Sequence, residues 1–163
     1  MAGPLYRYLA GDHRRLDTLL RTAVAQPDAM DTGPYAEFRK GLLRHIAIEE
    51  KIVIPAVSGG APGKHSDLAA RLRLDHGALA SLLVPPPSRS IIATIRTILS
   101  AHNPLEEGDG GLYELFEEVS GSDPEMLRKL ESAPDVPVLP HNDRPGVLEA
   151  TRRAVERAGY KLE

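Results

Sequence analysis

Apolar residues recur at steps of three and four through the first two-thirds of the chain, in four runs bounded by proline and glycine. The first run holds Leu5, Leu9, His13, Leu16, Leu20 and Val24, and the second holds Phe38, Leu42, His45, Glu49 and Ile52. The third holds Ala69, Leu72, His76, Leu79 and Leu83, and the fourth Ile92, Ile95, Leu99, His102 and Glu106. Such steps put each set on one face of an α-helix. No alternating run competes as a strand. Pro4 opens the first segment, which runs to about Ala25 and stops at QPDAMDTGP. The second spans Pro34 to Pro55 and is followed by SGGAPGK. The third spans His65 to Val84 and ends at PPPS, and Ser88 or Ser90 caps the fourth. Proline at a helix start, serine as a cap and Gly/Pro clusters as stops are ordinary helix boundaries. Four helices of about 20 residues with short connections predict an all-α fold, an antiparallel up-down-up-down four-helix bundle over residues 1–120.

After Glu107 the pattern changes. GDGG interrupts the fourth helix, LYELFEEV resumes it, and Pro104 weakens it locally by removing one donor and crowding the preceding turn. Residues 121–163 form a C-terminal helical extension: a short helix at PEMLRKLE, a Pro-rich linker APDVPVLPHNDRP, and a terminal amphipathic helix GVLEATRRAVERAGY. That last helix packs across the bundle or against a second subunit, and the sequence does not choose between a monomer and a homodimer.

Composition narrows the chemistry. With 20 Lys+Arg against 23 Asp+Glu the formal net charge is −3, without the positive excess of a general nucleic-acid binder. Aromatic residues are 4% of the chain and Trp is absent, so there is no platform for stacking bases. No apolar run approaches the roughly 18 residues of a membrane span. The opening residues MAGPLYRYLAGDHRR lack a basic start followed by an apolar block, which predicts no secretory leader and a cytoplasmic protein. Cysteine is absent. That excludes disulfides, thiolate metal sites and a cysteine nucleophile, so a bound metal must be held by His, Asp and Glu.

Each apolar stripe contains one histidine near the middle of its helix: His13, His45, His76 and His102. In an antiparallel bundle mid-helix positions share one level, so four imidazoles converge. Two of them are followed one turn later by a glutamate, His45 by Glu49 and His102 by Glu106. Residues four apart face the same way, and a buried carboxylate is costly unless paired or bound to metal. Four imidazoles and two carboxylates suit iron, zinc or manganese, and two bridging carboxylates suit a dinuclear centre.

The neighbours read as ordinary structure. Glu50 and Glu107 point about 100° away from Glu49 and Glu106 and are expected in solvent. Asp17 reads as a surface carboxylate, Asp12 and Asp75 as edge residues, and Tyr113 as a packing residue. His65 decorates a helix start, and His141 lies in the Pro-rich linker. No sequence feature announces a pocket for an organic substrate.

The stretches DHRRLD around His13, HIAIEE around His45, LDHGAL around His76 and HNPLEEGDGGLY around His102 resemble the hemerythrin-like family, the HHE cation-binding domain. The resemblance covers about residues 4 to 118. It implies two iron ions bridged by an oxo or hydroxo group, one held by His13 and His45, the other by His76 and His102, with Glu49 and Glu106 bridging. It implies a protein that binds or senses dioxygen, another small diatomic or peroxide ligand, or iron, and no enzyme class is assigned. The alternatives are a di-iron oxidase or peroxidase and a bundle stabilised structurally by zinc. Oxygen-carrying members have a fifth histidine where this chain has Leu72, and their last carboxylate falls at the spacing of Glu107. Those departures leave the two metals more alike and more open, and favour redox chemistry, sensing or iron handling.

Overall fold

Residues 2–59 and 65–163 are described by a computed structural model. They form helices and connecting turns, with no strand among them. The helices are α1 (Pro4–Ala23), α2 (Thr32–Ile48), α3 (Ile54–Ser58), α4 (Ser66–Leu82), α5 (Arg89–Glu107), α6 (Leu112–Ser120), α7 (Met126–Glu131) and α8 (Pro145–Arg157). Pro4 occupies the first turn of α1, where its missing donor costs nothing. The Asp31 side chain accepts from the Gly33 N–H at the start of α2, and Ser88 Oγ accepts from the Ile91 N–H at the start of α5. The predicted loop after Pro55 lies, from residue 60 to 64, outside the described residues.

Between α2 and α3 the chain stays helical but widens into a π turn, Glu49–Val53, in which the Ile54 N–H bonds the Glu49 carbonyl. Pro55 follows immediately. In a regular α-turn its ring would crowd the Lys51 carbonyl and leave that carbonyl without a donor, and the wider turn gives the ring room. One extra residue in the turn also changes which side chains face inward. Val53 and Ile54 are fully buried, while Ile52, predicted inward, is only half-buried.

Two apolar clusters flank a polar layer. One contains Leu16 and Leu20 of α1, Phe38 and Leu42 of α2, Leu79 and Leu82 of α4, and Ile95 and Ile98 of α5. The other contains Leu5 and Leu9, then Val53 and Ile54, Leu72, and Leu112, Tyr113 and Phe116 of α6. His13, His45, His76 and His102 sit in sequence between the two sets, so α1, α2, α4 and the α5–α6 stretch each traverse the polar layer once. Pro104 does not end α5, which continues to Glu107 before the glycines interrupt it.

The C-terminal extension folds back on the same chain. α8 packs on α4, with Val155 and Ala158 in the first cluster. Thr151 Oγ1 donates to the Ser81 carbonyl at 3.0 Å, and the Glu163 N–H donates to Thr94 Oγ1 at 3.1 Å. The linker is pinned where the Asn142 N–H donates to the Val84 carbonyl at 2.9 Å. His141 of the linker stacks on Tyr35, and His65 stands at the start of α4 in a left-handed conformation.

Candidate metal centre

All six residues singled out in the sequence meet in the polar layer, and all six are buried. They form two groups that share their carboxylates: His13, His45, Glu49 and Glu106, and His76, His102, Glu49 and Glu106. Within each group one donor atom per residue lies within 4.8 Å of all the others. Both glutamates use one oxygen on each side. Glu49 Oε1 is 3.0 Å from His45 Nε2, and its Oε2 is 3.0 Å from His76 Nε2. Glu106 Oε2 is 3.1 Å from His13 Nε2, and its Oε1 is 2.8 Å from His102 Nε2. Donors about 2 Å from a common cation stand roughly 3 Å apart, so each group can hold an ion.

The hydrogen bonding supports that fit. Glu49 Oε2, Glu106 Oε1 and His76 Nε2 are buried without a hydrogen-bond partner. They lie close together but are not aligned for bonding to one another. Buried polar atoms left unpaired are costly, and donors converging without mutual bonds are what a cation requires. Imidazole and carboxylate are ligands for iron, zinc or manganese.

Behind the histidines stands a ring of acids. His45 Nδ1 is 2.9 Å from Asp12 Oδ2, His76 Nδ1 is 2.6 Å from Glu50 Oε1, and His102 Nδ1 is 3.0 Å from Asp75 Oδ2. Glu107 Oε1 approaches His13 Nδ1 at 3.6 Å, too long for a direct bond. A carboxylate on Nδ1 fixes the tautomer, turns Nε2 inward and raises ligand basicity. These acids are anchored in turn: Asp12 by Arg15 at 2.8 Å, Glu50 by Arg73 at 3.3 Å, and Asp75 by Arg71. Arg71 also donates to the Ala158 carbonyl, which ties the C-terminal extension to the support of His102.

Three expectations are therefore corrected. Glu50 is not simply solvated, whereas Glu107 is 32% exposed and makes no direct bond to His13. Asp75 is fully buried and Asp12 nearly so, rather than at an edge. Each acid reaches across to a histidine of another helix, which single-helix face geometry does not reveal. A sequence signal existed: Asp-His occurs at residues 12–13 and 75–76, and His-x-x-x-Glu-Glu at 45–50 and 102–107. The two halves of the chain carry the same ligand-and-support pattern. Asp17, by contrast, is a surface carboxylate, 62% exposed and paired with Arg21.

Tyr113 is the largest departure from expectation. It is fully buried at the start of α6. Its hydroxyl donates to Glu49 Oε1 at 2.6 Å and lies 3.1 Å from Glu106 Oε2, 3.0 Å from His13 Nε2 and 3.1 Å from His45 Nε2. The oxygen thus faces every donor of the first group. It makes no hydrogen bond to His76 or His102. The two groups are unequal, with a fifth oxygen beside only one, and Leu72 is packed in the apolar cluster. The interruption at GDGG makes this possible. It restarts the helix with Tyr113 turned inward, a change of direction that a continuous helical projection does not reproduce.

The protonation states follow from these contacts. Burial works against ionisation of Glu49, and so does Glu106 beside it, yet His45 and His76 hold its carboxyl down at about 2. Burial likewise opposes ionisation of Glu106, and His102, His13 and His76 keep it well below the usual carboxylate range. Burial alone would lower the imidazoles, but Glu106 and Glu49 hold His76 up at about 10, and Glu106 and Asp75 hold His102 at about 9. Burial, Glu106 and Glu49 push the Tyr113 phenol well above its ordinary value. Without metal, the layer is an internal array of carboxylates and imidazolium groups. Metal ligation requires the imidazoles neutral, so binding must release protons.

A cavity of about 570 Å³ reaches this layer, with His13, His45, Glu49, His76 and His102 at its inner end. Tyr113 is not among its walls and approaches the layer from the second apolar cluster. No helix among the described residues is long and apolar enough to cross a membrane. No protein-family model matches the chain, and no curated protein or solved structure is significantly similar to it.

Proposed function

We propose that the chain is a hemerythrin-like non-haem di-iron protein that binds or senses dioxygen or another small diatomic or peroxide ligand. On this reading residues 1–120 form an antiparallel four-helix bundle of α1, α2, α4 and α5. Its support is that successive helices meet the two apolar clusters in opposite order. His13 and His45 hold one iron, His76 and His102 the other, and Glu49 and Glu106 serve both, with Tyr113 as a further donor beside the first. The observation that carries the proposal is the sharing: each carboxylate directs one oxygen to each histidine pair.

A bound iron pair supplies redox-active positions for a small ligand. The protein's part is to arrange the surroundings. Asp12, Glu50 and Asp75 hold three imidazoles with Nε2 inward. Leu16, Leu42 and Leu79 keep the cavity side of the layer apolar, which limits water and tunes ligand access. Tyr113 holds a proton on its hydroxyl against Glu49 Oε1 in the metal-free protein.

Elemental analysis of protein made with iron supplied tests this, with about two irons per chain expected at the two groups. A well-folded, metal-free product would refute it. The oxidase or peroxidase alternative is favoured by one observation, the cavity ending at the layer. Sustained peroxide turnover, lost in His102→Ala, would establish that reading in place of simple binding. A zinc-held bundle would show full metal occupancy with no iron absorption.

A further inference from the structure

The cavity is larger than a diatomic ligand requires. At about 570 Å³ it has room for roughly twenty water-sized molecules at ~30 Å³ each, and falls in the ~300–1,000 Å³ range of pockets for organic molecules. Its walls are Leu16, Leu20, Leu42, Ile46, Leu79 and Leu99, drawn from four helices. Leu16, Leu20, Leu42 and Leu79 are each at most 3% exposed, so they form a packed, ordered floor, while Ile46 and Leu99 are half-buried.

The outer end is polar. Asp17, Arg21, Arg96 and Ser100 line it and are exposed. Arg21 is engaged by Asp17 at 2.9 Å, whereas Arg96 makes no ion pair among the described residues. Arg96, Ser100 and Asn103 follow one another along α5 at steps of four and three, so they share a face. Asn103 Oδ1 is buried without a hydrogen-bond partner. The cavity therefore runs from a free guanidinium, past apolar walls, to the histidine layer. Six residues of helix separate Arg96 from His102, about 9 Å at ~1.5 Å per residue, and the arginine side chain adds its own reach.

We propose that this cavity binds an organic monocarboxylate with an unbranched apolar body of about ten carbons, its carboxylate on Arg96 and its hydrocarbon end at the histidine layer. Apolar walls select a hydrocarbon body, and an unpaired guanidinium selects an anion through charge-assisted hydrogen bonds. The reverse orientation would leave Arg96 unused, so the effect of Arg96→Ala decides between the two. The cavity's walls and rim belong to the protein itself, so binding is expected with and without metal.

Calorimetric titration of the full chain with decanoate, decan-1-ol and decylammonium, in metal-free and iron-supplied forms, tests the proposal. Decanoate should bind one per chain, at least about 10-fold tighter than the alcohol or the amine. Arg96→Ala should bring decanoate down to the affinity of decanol and leave decanol unchanged. Leu99→Trp, which fills the half-buried wall, should weaken both by at least about 10-fold, and Ser100→Trp at the exposed rim is the substitute if that variant fails to fold by circular dichroism. Absence of saturable binding, equal binding of decanoate and decanol, or no effect of Arg96→Ala overturns the proposal. Iron content measured on the same samples is a separate outcome, so failure of decanoate to bind and failure of iron to load are distinguishable.

Discussion

Glu49 and Glu50 are adjacent in sequence, and the structure gives them different tasks that a metal titration separates. Glu49 directs its two oxygens to two different histidine pairs. Glu49→Ala therefore removes one of four donors from each group at once. Glu50 touches no candidate ion position; it holds His76 Nδ1 at 2.6 Å. Removing such an orienting carboxylate typically costs about 10- to 100-fold in metal affinity, or about 1.4–2.8 kcal/mol at ~1.4 kcal/mol per factor of ten. Glu50→Ala should stay within that range and act only at the His76/His102 position. Glu49→Ala should exceed about 100-fold at both positions, since a lost ligand costs more than a misoriented one. Metal-free protein titrated with ferrous iron against a coloured chelator, without air, measures both affinities; circular dichroism checks the fold. Equal losses in the two variants, or a Glu50→Ala protein that binds like the parent, would refute the division of roles.

Three further outcomes follow from the same contacts. Tyr113→Phe should retain both irons but lose a visible phenolate-to-iron absorption present in the parent; identical spectra would show that the hydroxyl is not a ligand. Arg71→Met should release Asp75 and weaken the His76/His102 position by about 10-fold or less, measured by the same competition; equal weakening at both positions would contradict the route through Asp75. In metal-free protein His76 and His102 keep their protons up to about 10 and 9, above the ordinary 6.5. The folded state then binds more protons than the unfolded chain above pH ~6.5, so this stabilisation is complete below pH ~6.5 and disappears as pH rises through 9 to 10. The melting temperature should fall over that range without metal, and a rise would contradict the assigned contacts.

Much of the architecture was legible because helix periodicity and its punctuation are local properties. The start of α1 followed from Pro4, that of α5 from Ser88 or Ser90, of which Ser88 is the cap, and the break before α6 from Gly108, Gly110 and Gly111. The histidine layer was legible too, because equal depth in neighbouring helices brings residues together whatever the crossing angles. The π turn was not, since it depends on Pro55 acting on the turn before it. The supporting acids were missed because each serves a histidine on a different helix: Asp12 is one residue from His13 but bonds His45. Tyr113 was assigned to packing because its direction depends on how the chain restarts after the glycines. The cavity left no sequence signal at all. Leu16, Leu42 and Leu79 look the same in a sequence whether they fill a core or line a chamber.

The central claim is a pair of iron ions held by His13, His45, His76, His102, Glu49 and Glu106. Metal content of the purified chain, taken with its absorption spectrum before and after reduction and on return to air, tests it most directly. The account predicts about two irons per chain, one for each donor group, with near-ultraviolet absorption that disappears on reduction and returns in air. A folded chain that takes up no iron, or carries a metal with no redox-dependent spectrum, would contradict it.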